Sequence, residues 1–563
     1  MTEVMTATLR GLSAAAAAFA GRDAAARAAL ARETALAVAA VAQAWVDTAV
    51  AIKRGDTSPT LRSVITAEET ATGPLATLRL LLVTARAADE IARFGTPRAA
   101  SMPRMLHHAG AGTSSFIGVD VLPALGLADR AMFDGYQATV RCVNPGDVSG
   151  FVRSWREEAR DRPCQGGVAV VLGAGNVTGL SIADGMSQIF EHGRAVLLKL
   201  HPLHAPLEPI FRTALAPLLS AGLVAIVTGG ADLAAAAIAS PATTHVHLTG
   251  GQAAFDAIVW GGDSRRPPHA VPVLAKPISC ELGGVTPWLV IPGRYSPAEL
   301  AFQADQIAAT IINNASFNCI ATKCVITCRS WDQRDDFLAL VARRLESQPP
   351  RLAWYPGAAA TWEAVTGRTR PADGTLPWTF RTGIDPVREP HWLEREWFVP
   401  VAVEVPLDAT DIEAFCSRGM AFTRRLPGSL AASVTMPASL SPHDRQRADL
   451  LVEHLEYGTV AVNTWSAIAY TLANTPWGGF PGATLDEPKS GIGWVHDPLL
   501  LPLVHNTILR GPLVVRTTPP WFPWHRRGEQ LARGVIDVYA GIARGGSGLW
   551  PIMKMLPAVA RGS

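Results

Sequence analysis

Short apolar runs alternate with longer helical stretches through the middle of the chain, and this rhythm carries the fold expectation. Residues 167–172 are apolar and β-branched, the signature of a buried strand. The glycine-rich run Gly173-Ala-Gly-Asn-Val-Thr-Gly179 follows, then a helical stretch to Glu191. Similar apolar runs at 195–200, 223–228 and 245–249 are separated by helical stretches near 206–220 and 231–239. Buried strands that alternate with helices predict a parallel sheet covered on both faces, with ligands at the carboxyl ends of its strands. A second such segment starts near Ile278, with strands at 287–291 and 323–327 and a helix at 301–313. A further strand is expected at 458–463, and the Pro-, Gly- and Trp-rich stretch 347–389 predicts loops.

Before this core lies an Ala-rich stretch, 21–53, with charged residues interspersed and few breakers, and another helical stretch at 74–93. The first hundred residues therefore predict a helical lead-in. Ala14–Ala20 is weakly hydrophobic and is followed by Arg22, Asp23 and Arg27, which predicts a helix of a cytoplasmic protein rather than an export signal. No apolar run is expected to reach the ~18–20 residues of a membrane span. After Arg516 comes Pro519-Pro-Trp-Phe-Pro-Trp524, a basic stretch and a helix to about 543.

The chain has 563 residues, enough for two to four domains at roughly 100–200 residues each. Hydrophobic residues make up 48% and charged residues 17%, which excludes extensive disorder. A net charge of +2 gives no field that would draw nucleic acid, so no nucleic-acid partner is expected. Seven cysteines in a chain this large are not a disulfide framework. Free thiols of a reducing cytoplasm are the reading, and one of them can be a nucleophile.

Cys319 is the candidate. It lies in Asn313-Asn-Ala-Ser-Phe-Asn-Cys-Ile-Ala-Thr-Lys323, between an expected helix and an expected strand, where a thiol can meet a substrate. Taken alone, a cysteine is more often a small buried hydrophobe, and Cys324 and Cys328 on the next strand are read that way. Their spacing matches no zinc pattern, so no metal is expected. Glu281 opens a Gly-Gly turn in Cys280-Glu-Leu-Gly-Gly-Val-Thr-Pro287, where backbone can approach a ligand closely. Alone it would be a solvated surface acid.

The pieces gain meaning from their order. Asn176 and Lys199 stand upstream of Glu281-Leu-Gly-Gly284, and Asn314 and Cys319 follow it. Downstream come Glu396-Trp-Phe-Val-Pro-Val401, Pro476-Trp-Gly-Gly-Phe480 and Lys489-Ser-Gly-Ile-Gly493. In this order and spacing the chain resembles the aldehyde dehydrogenase superfamily over roughly residues 70–510.

The resemblance implies an α/β fold with a Rossmann-type cofactor domain, an α/β catalytic domain and a small oligomerisation element. The expected divisions are 1–277 (helical region and dinucleotide-binding domain), 278–470 (catalytic domain), 471–515 (return and oligomerisation segment) and 516–563 (C-terminal extension). It implies NAD- or NADP-dependent oxidation of a small-molecule aldehyde, and a homodimer or homotetramer. Cys319 matches the family's nucleophile, Glu281 its general base and Asn176 the amide that stabilises the oxyanion. Lys199 matches the lysine at the adenosine ribose, and Glu396 the glutamate at the nicotinamide ribose with Phe398 beside it. Gly229, Gly250 and Gly251 fall near glycines that flank the dinucleotide.

Departures limit what carries over. Ser316 and Phe317 stand where the family usually has Gln and Gly before the nucleophile, Gly251 replaces a serine, and 481–488 interrupts a usually compact run. Pro202 occupies a position where NAD-preferring members often carry an acid, which leaves NADP open, with His201 or His204 as partners for a 2′-phosphate. The loop 173–179 also reads as a phosphate cradle, but the oxyanion role of Asn176 is preferred because Lys199, Glu281 and Cys319 fall into place with it. The tail's Trp521, Trp524, Arg526 and Arg527 suit peripheral membrane contact, a subunit contact or packing on the chain's own surface. Two rival functions remain: CoA-acylating chemistry in the same fold, and a catalytically silent binding protein.

Overall fold

The computed structural model describes residues 3–54, 58–106, 116–143, 146–262 and 270–560. Two sheets organise them. A six-stranded sheet runs in the spatial order Gly491–Ile492, Ile278–Leu282, His245–Gly250, Val168–Leu172, Ala195–Lys199, Val224–Val227. Its strands are parallel except for Gly491–Ile492. Every residue of Val168–Leu172 is buried, as expected of a strand covered on both faces. A ten-stranded sheet holds Pro287–Val290, Cys324–Cys328, Val401–Leu407, Ala431–Thr435 and Thr459–Val462 in a parallel core. Val504–Arg510 extends it in parallel, and Gln137–Val143 and Phe116–Asp120 add antiparallel strands beyond.

The sheets divide the chain differently from the expected boundaries. Ile278–Leu282 pairs with 246–250 and so closes the first sheet. The switch between sheets falls after it, at the Gly283-Gly284 turn, because the next strand, Pro287–Val290, pairs only within the second sheet. Residues 104–143, expected with the cofactor domain, supply strands to the second sheet, and the segment 471–515 sends one strand to each.

Other differences have local causes. The helix expected over 206–220 is broken into a 3-10 turn at Pro202–Leu207 and helices Glu208–Ala214 and Ala216–Ser220. Pro206, Pro209 and Pro217 each lack an N–H for a continuous ladder. The stretch 347–389 contains a helix, Ala358–Thr366, between two left-handed glycines. A last helix, Leu549–Ala560, follows the glycines that end Gly528–Ala543.

The helical lead-in forms as expected: Glu3–Ala20, Ala24–Ile52, Pro59–Thr70 and Ala76–Phe94. Against expectation, Ala24–Ile52 is long and apolar enough to cross a membrane by length and composition. Alanine supplies this hydropathy, and the helix buries Leu30, Val38, Trp45 and Val50 within the protein. The lead-in touches the core at a kink: Pro59–Thr70 passes through a π-turn at Ala71–Leu75 into the next helix. Gly179 lies so close that a Cβ there would stand 2.3 Å from the Thr72 carbonyl oxygen. That contact requires glycine and seats the 173–179 loop against the lead-in.

The tail packs on its own chain. Trp521 lies 5.1 Å from Trp465 between ring centres, Phe522 stacks 5.9 Å from Phe302, and the Arg344 guanidinium sits 4.4 Å over Trp524. Arg526 and Arg527 are exposed.

Candidate active site

Helix Pro297–Ile312 gives way to a turn in which Asn314, Ala315 and Ser316 have φ of 52°, 55° and 66°. Left-handed backbone costs a residue with a Cβ roughly 1–2 kcal/mol, so this turn must be held by its surroundings. Two buried lysines hold it. Lys53 Nζ, at the end of Ala24–Ile52, donates to Asn314 Oδ1 at 2.6 Å and to the Asn176 carbonyl at 3.0 Å. Lys323 Nζ donates to Ser316 Oγ at 2.7 Å, to its carbonyl at 3.2 Å and to the Val399 carbonyl at 2.9 Å. Ser316 is thus fitted to a lysine, and the fully buried Phe317 stacks 5.6 Å from Tyr355 and lies 6.2 Å from Phe398.

This turn delivers Cys319 to the sheet crossover. Its Sγ donates to Glu281 Oε1 at 3.4 Å, and Trp477 Nε1 donates to Glu281 Oε2 at 3.1 Å. Burial, reinforced by the charge of Asp184, pushes the Glu281 carboxyl up to about 7, against hydrogen bonds from Cys319 and Trp477. Burial, then the carboxylates of Glu281 and Glu396, pushes the Cys319 thiol well up. The proton therefore rests on sulfur, with Glu281 placed to accept it.

Asn176 sits across from the nucleophile turn. Its Nδ2 donates to the Phe317 carbonyl at 3.2 Å, which uses one of its two amide protons. Asn314 Nδ2 donates to the Asn176 carbonyl at 2.9 Å and to the Phe317 carbonyl at 2.8 Å, so loop and turn are laced together. The lacing continues inward: Lys53 pairs with Glu69, Thr178 Oγ1 donates to Glu69 Oε2 at 2.9 Å, and Trp45 Nε1 donates to Thr178 Oγ1 at 2.9 Å.

Two cavities meet at these residues. The larger, about 1610 Å³, follows the carboxyl ends of the six-stranded sheet and is lined by Asn176, Lys199, His201, Gly250, Gly251, Glu281, Cys319, Glu396 and Phe398. The smaller, about 310 Å³, shares Asn176, Glu281 and Cys319 with it and extends toward the tail. Glu396 lies against the sheet crossover, where a Cβ on Gly283 would stand 1.6 Å from its Oε2. Its Oε1 is buried with no hydrogen-bond partner among the described residues. Burial raises this carboxyl and lowers the neighbouring Lys323 ammonium, while their opposite charges oppose both shifts. Glu396 lines the larger cavity beside Gly283 and Gly284, and a carboxylate there fits a ligand that brings hydroxyl donors.

Most of the expected residues come together here. Lys199 and His201 line the large cavity, and burial lowers both, with Lys199 adding to the shift of His201. His201 stacks 6.4 Å from Tyr355. His204 is buried and does not line the cavity. Gly229 stands exposed past the end of Val224–Val227 and also lies outside the lining. Lys53 and Trp477 were not singled out by sequence, and the tail was read there without a place at this site. Trp477 lies within the quoted Pro476-Trp-Gly-Gly-Phe480 motif, but no local pattern marks Lys53.

Residues 151–350 match the model of the aldehyde dehydrogenase family. No curated protein matches the chain by sequence. Among solved structures, the chain is similar to an aldehyde dehydrogenase of Mycobacterium tuberculosis in complex with NAD+, at 16% identity and a TM-score of 0.59 over 91% of each chain. It is similar to the Pseudomonas aeruginosa aldehyde dehydrogenase KauB, at 16% identity and a TM-score of 0.60 over 90% of this chain and 88% of that one. An NADP-dependent glyceraldehyde-3-phosphate dehydrogenase of Bacillus halodurans, in complex with NADP, aligns at 16% identity and a TM-score of 0.58 over 90% of this chain and 91% of that one. The fold is that of the aldehyde dehydrogenases.

Proposed function

We propose that this chain oxidises an aldehyde to a carboxylic acid with NAD or NADP through a thioester on Cys319. The observation that carries the reading is the Cys319–Glu281 pair at 3.4 Å, where the two cavities meet. Glu396 would hold ribose hydroxyls, Lys199 and His201 would hold the adenosine end, and Phe398 and Gly250–Gly251 would wall the site. The dinucleotide supplies the acceptor for hydride. With no acid at Pro202, nothing there repels a 2′-phosphate, so NADP is accepted alongside NAD.

Glu281 takes the thiol proton as Cys319 sulfur adds to the aldehyde carbon, giving a thiohemiacetal. The free proton of the Asn176 amide and the Cys319 backbone N–H stabilise the oxygen of that tetrahedral state. Glu281 gives the thiol proton up to solvent before the thioester is hydrolysed, then takes a proton from water as the water oxygen attacks the acyl carbon, and returns it to the sulfur as the acid leaves. A base in contact with the nucleophile favours water over CoA as the acyl acceptor.

The test is formation of NADH and NADPH, read by absorbance, across short, long-chain and aromatic aldehydes. Turnover by the native protein, absent in Cys319→Ala, is the expected result. Turnover that needs added CoA, or none at all from folded protein with either dinucleotide, overturns the reading.

A further inference from the structure

The tail closes a cavity that ends on the nucleophile. The smaller cavity, about 310 Å³, lies in the range of roughly 300–1,000 Å³ typical of small-molecule sites. One wall comes from the family-like core, with Phe133, Trp465 and Ile468. The facing wall is the C-terminal extension: the 519–523 turn and the side chains of Leu531, Ala532 and Val535 on helix Gly528–Ala543. Cys319, Glu281 and Asn176 form its floor.

The chemistry of the lining selects what can enter. Among the described residues no lysine or arginine lines the cavity; its acids are Glu68, Glu281 and Glu529, and burial pushes its histidine, His525, toward the neutral form. Glu68 is already engaged by Arg351 through two hydrogen bonds of 2.7 and 2.8 Å. Glu529 accepts from Ser63 at 3.1 Å and from Arg533 at 2.7 Å. A carboxylate or phosphate on the substrate would be desolvated beside acids with no cation to pair it. A polyhydroxylated substrate would set most of its hydroxyls against walls that are mainly aromatic and aliphatic.

Resting on the aldehyde-oxidation reading above, we infer that the C-terminal extension completes a substrate pocket for uncharged, apolar aldehydes. The carbonyl lies at Cys319, and the alkyl or aryl body lies between Trp465 and Ile468 on one side and Trp521 and Val535 on the other. The extension is then part of the specificity machinery.

The experiment compares kcat/KM for straight-chain alkanals from three to twelve carbons with succinic semialdehyde and glyceraldehyde 3-phosphate. At ~0.8 kcal/mol per buried methylene, kcat/KM should rise about fourfold per carbon until the cavity is full. The two anionic aldehydes should fall at least 100-fold below the best alkanal. Ala532→Trp, which fills the cavity from the tail side, should move the plateau to shorter chains. A second readout needs no turnover: 1-decanol should slow carbamidomethylation of Cys319 by iodoacetamide in the native protein and do so less in Ala532→Trp. Preference for an anionic aldehyde, a response flat in chain length, or an unmoved plateau overturns the inference and leaves aldehyde oxidation standing. Absence of all turnover, with decanol protection lost in Ala532→Trp, overturns the oxidation reading and keeps the pocket. Equal protection in both proteins, or none in the native one, overturns the pocket.

Discussion

The site turns on where one proton rests. In the ligand-free protein it sits on the buried Cys319 thiol, and Glu281, held up to about 7, is the acceptor 3.4 Å away. Glu281 works only as a carboxylate, so turnover limited by thioester hydrolysis should rise with pH and level off above about 7. Glu281→Gln should remove that inflection and lower steady-state turnover by about 10²–10⁴, the usual range for loss of a general base. The burst of reduced dinucleotide in rapid mixing should slow as well, because Glu281 also accepts the thiol proton in the acylation step. A pH profile unchanged by Glu281→Gln would remove this residue from the base role. Cys319, Glu281, Asn176 and Glu396 were legible because each sits in a motif whose order along the chain is informative. Their supports were not: Lys53 meets Asn314 across 261 residues of sequence, and no local pattern encodes that contact.

At the scale of elements, the strands at 168–172, 195–199, 224–227 and 245–250 were legible from apolar runs spaced by helices, while the equally buried Val401–Leu407 and Ala431–Thr435 were not singled out. The boundary between sheets was harder, because no helix separates Ile278–Leu282 from Pro287–Val290 and only pairing assigns the two strands to different sheets. What sequence hides most is the joint between the lead-in helix Ala24–Ile52 and the nucleophile turn. The Lys53–Glu69 pair is almost fully buried, with side-chain exposures of 3% and 1%. Breaking a buried pair by removing one partner costs about 3–5 kcal/mol, while replacing both can be close to neutral. Lys53→Met should therefore lower the urea midpoint markedly, and Lys53→Met with Glu69→Leu should recover most of it. Activity should not recover with stability, because Asn314 has still lost the donor that holds its left-handed backbone. A double variant with native stability and native kcat would reduce Lys53 to a structural lysine.

At the scale of the whole molecule, the extension ties distant parts of the chain to one buried guanidinium. Arg79, on Ala76–Phe94, donates to Asp129 at 2.5 and 3.0 Å, to the Leu472 carbonyl at 2.9 Å and to Tyr539 Oη at 2.9 Å. Lead-in, core and tail converge on that group, and the Tyr539 ring is itself buried. The tail's composition was compatible with a membrane, a subunit or its own surface. Trp and Arg serve all three, whereas Tyr539 against Arg79, with Val538 and Ala543 beside it, joins this helix to the interior. Tyr539→Phe keeps the ring and deletes one acceptor from a charged donor, a loss of about 1.5–3 kcal/mol for hydrogen bonds of this kind. The urea midpoint should drop with the slope of the transition unchanged, because the surface exposed on unfolding stays the same. If instead the variant unfolds in two steps, the tail is a separable unit docked on an independently stable core. The smaller cavity would then lose its wall before the nucleophile turn loses its shape. A single shifted transition is the expected outcome, since Val538, Tyr539 and Ala543 are packed in the same hydrophobic cluster as the six-stranded sheet.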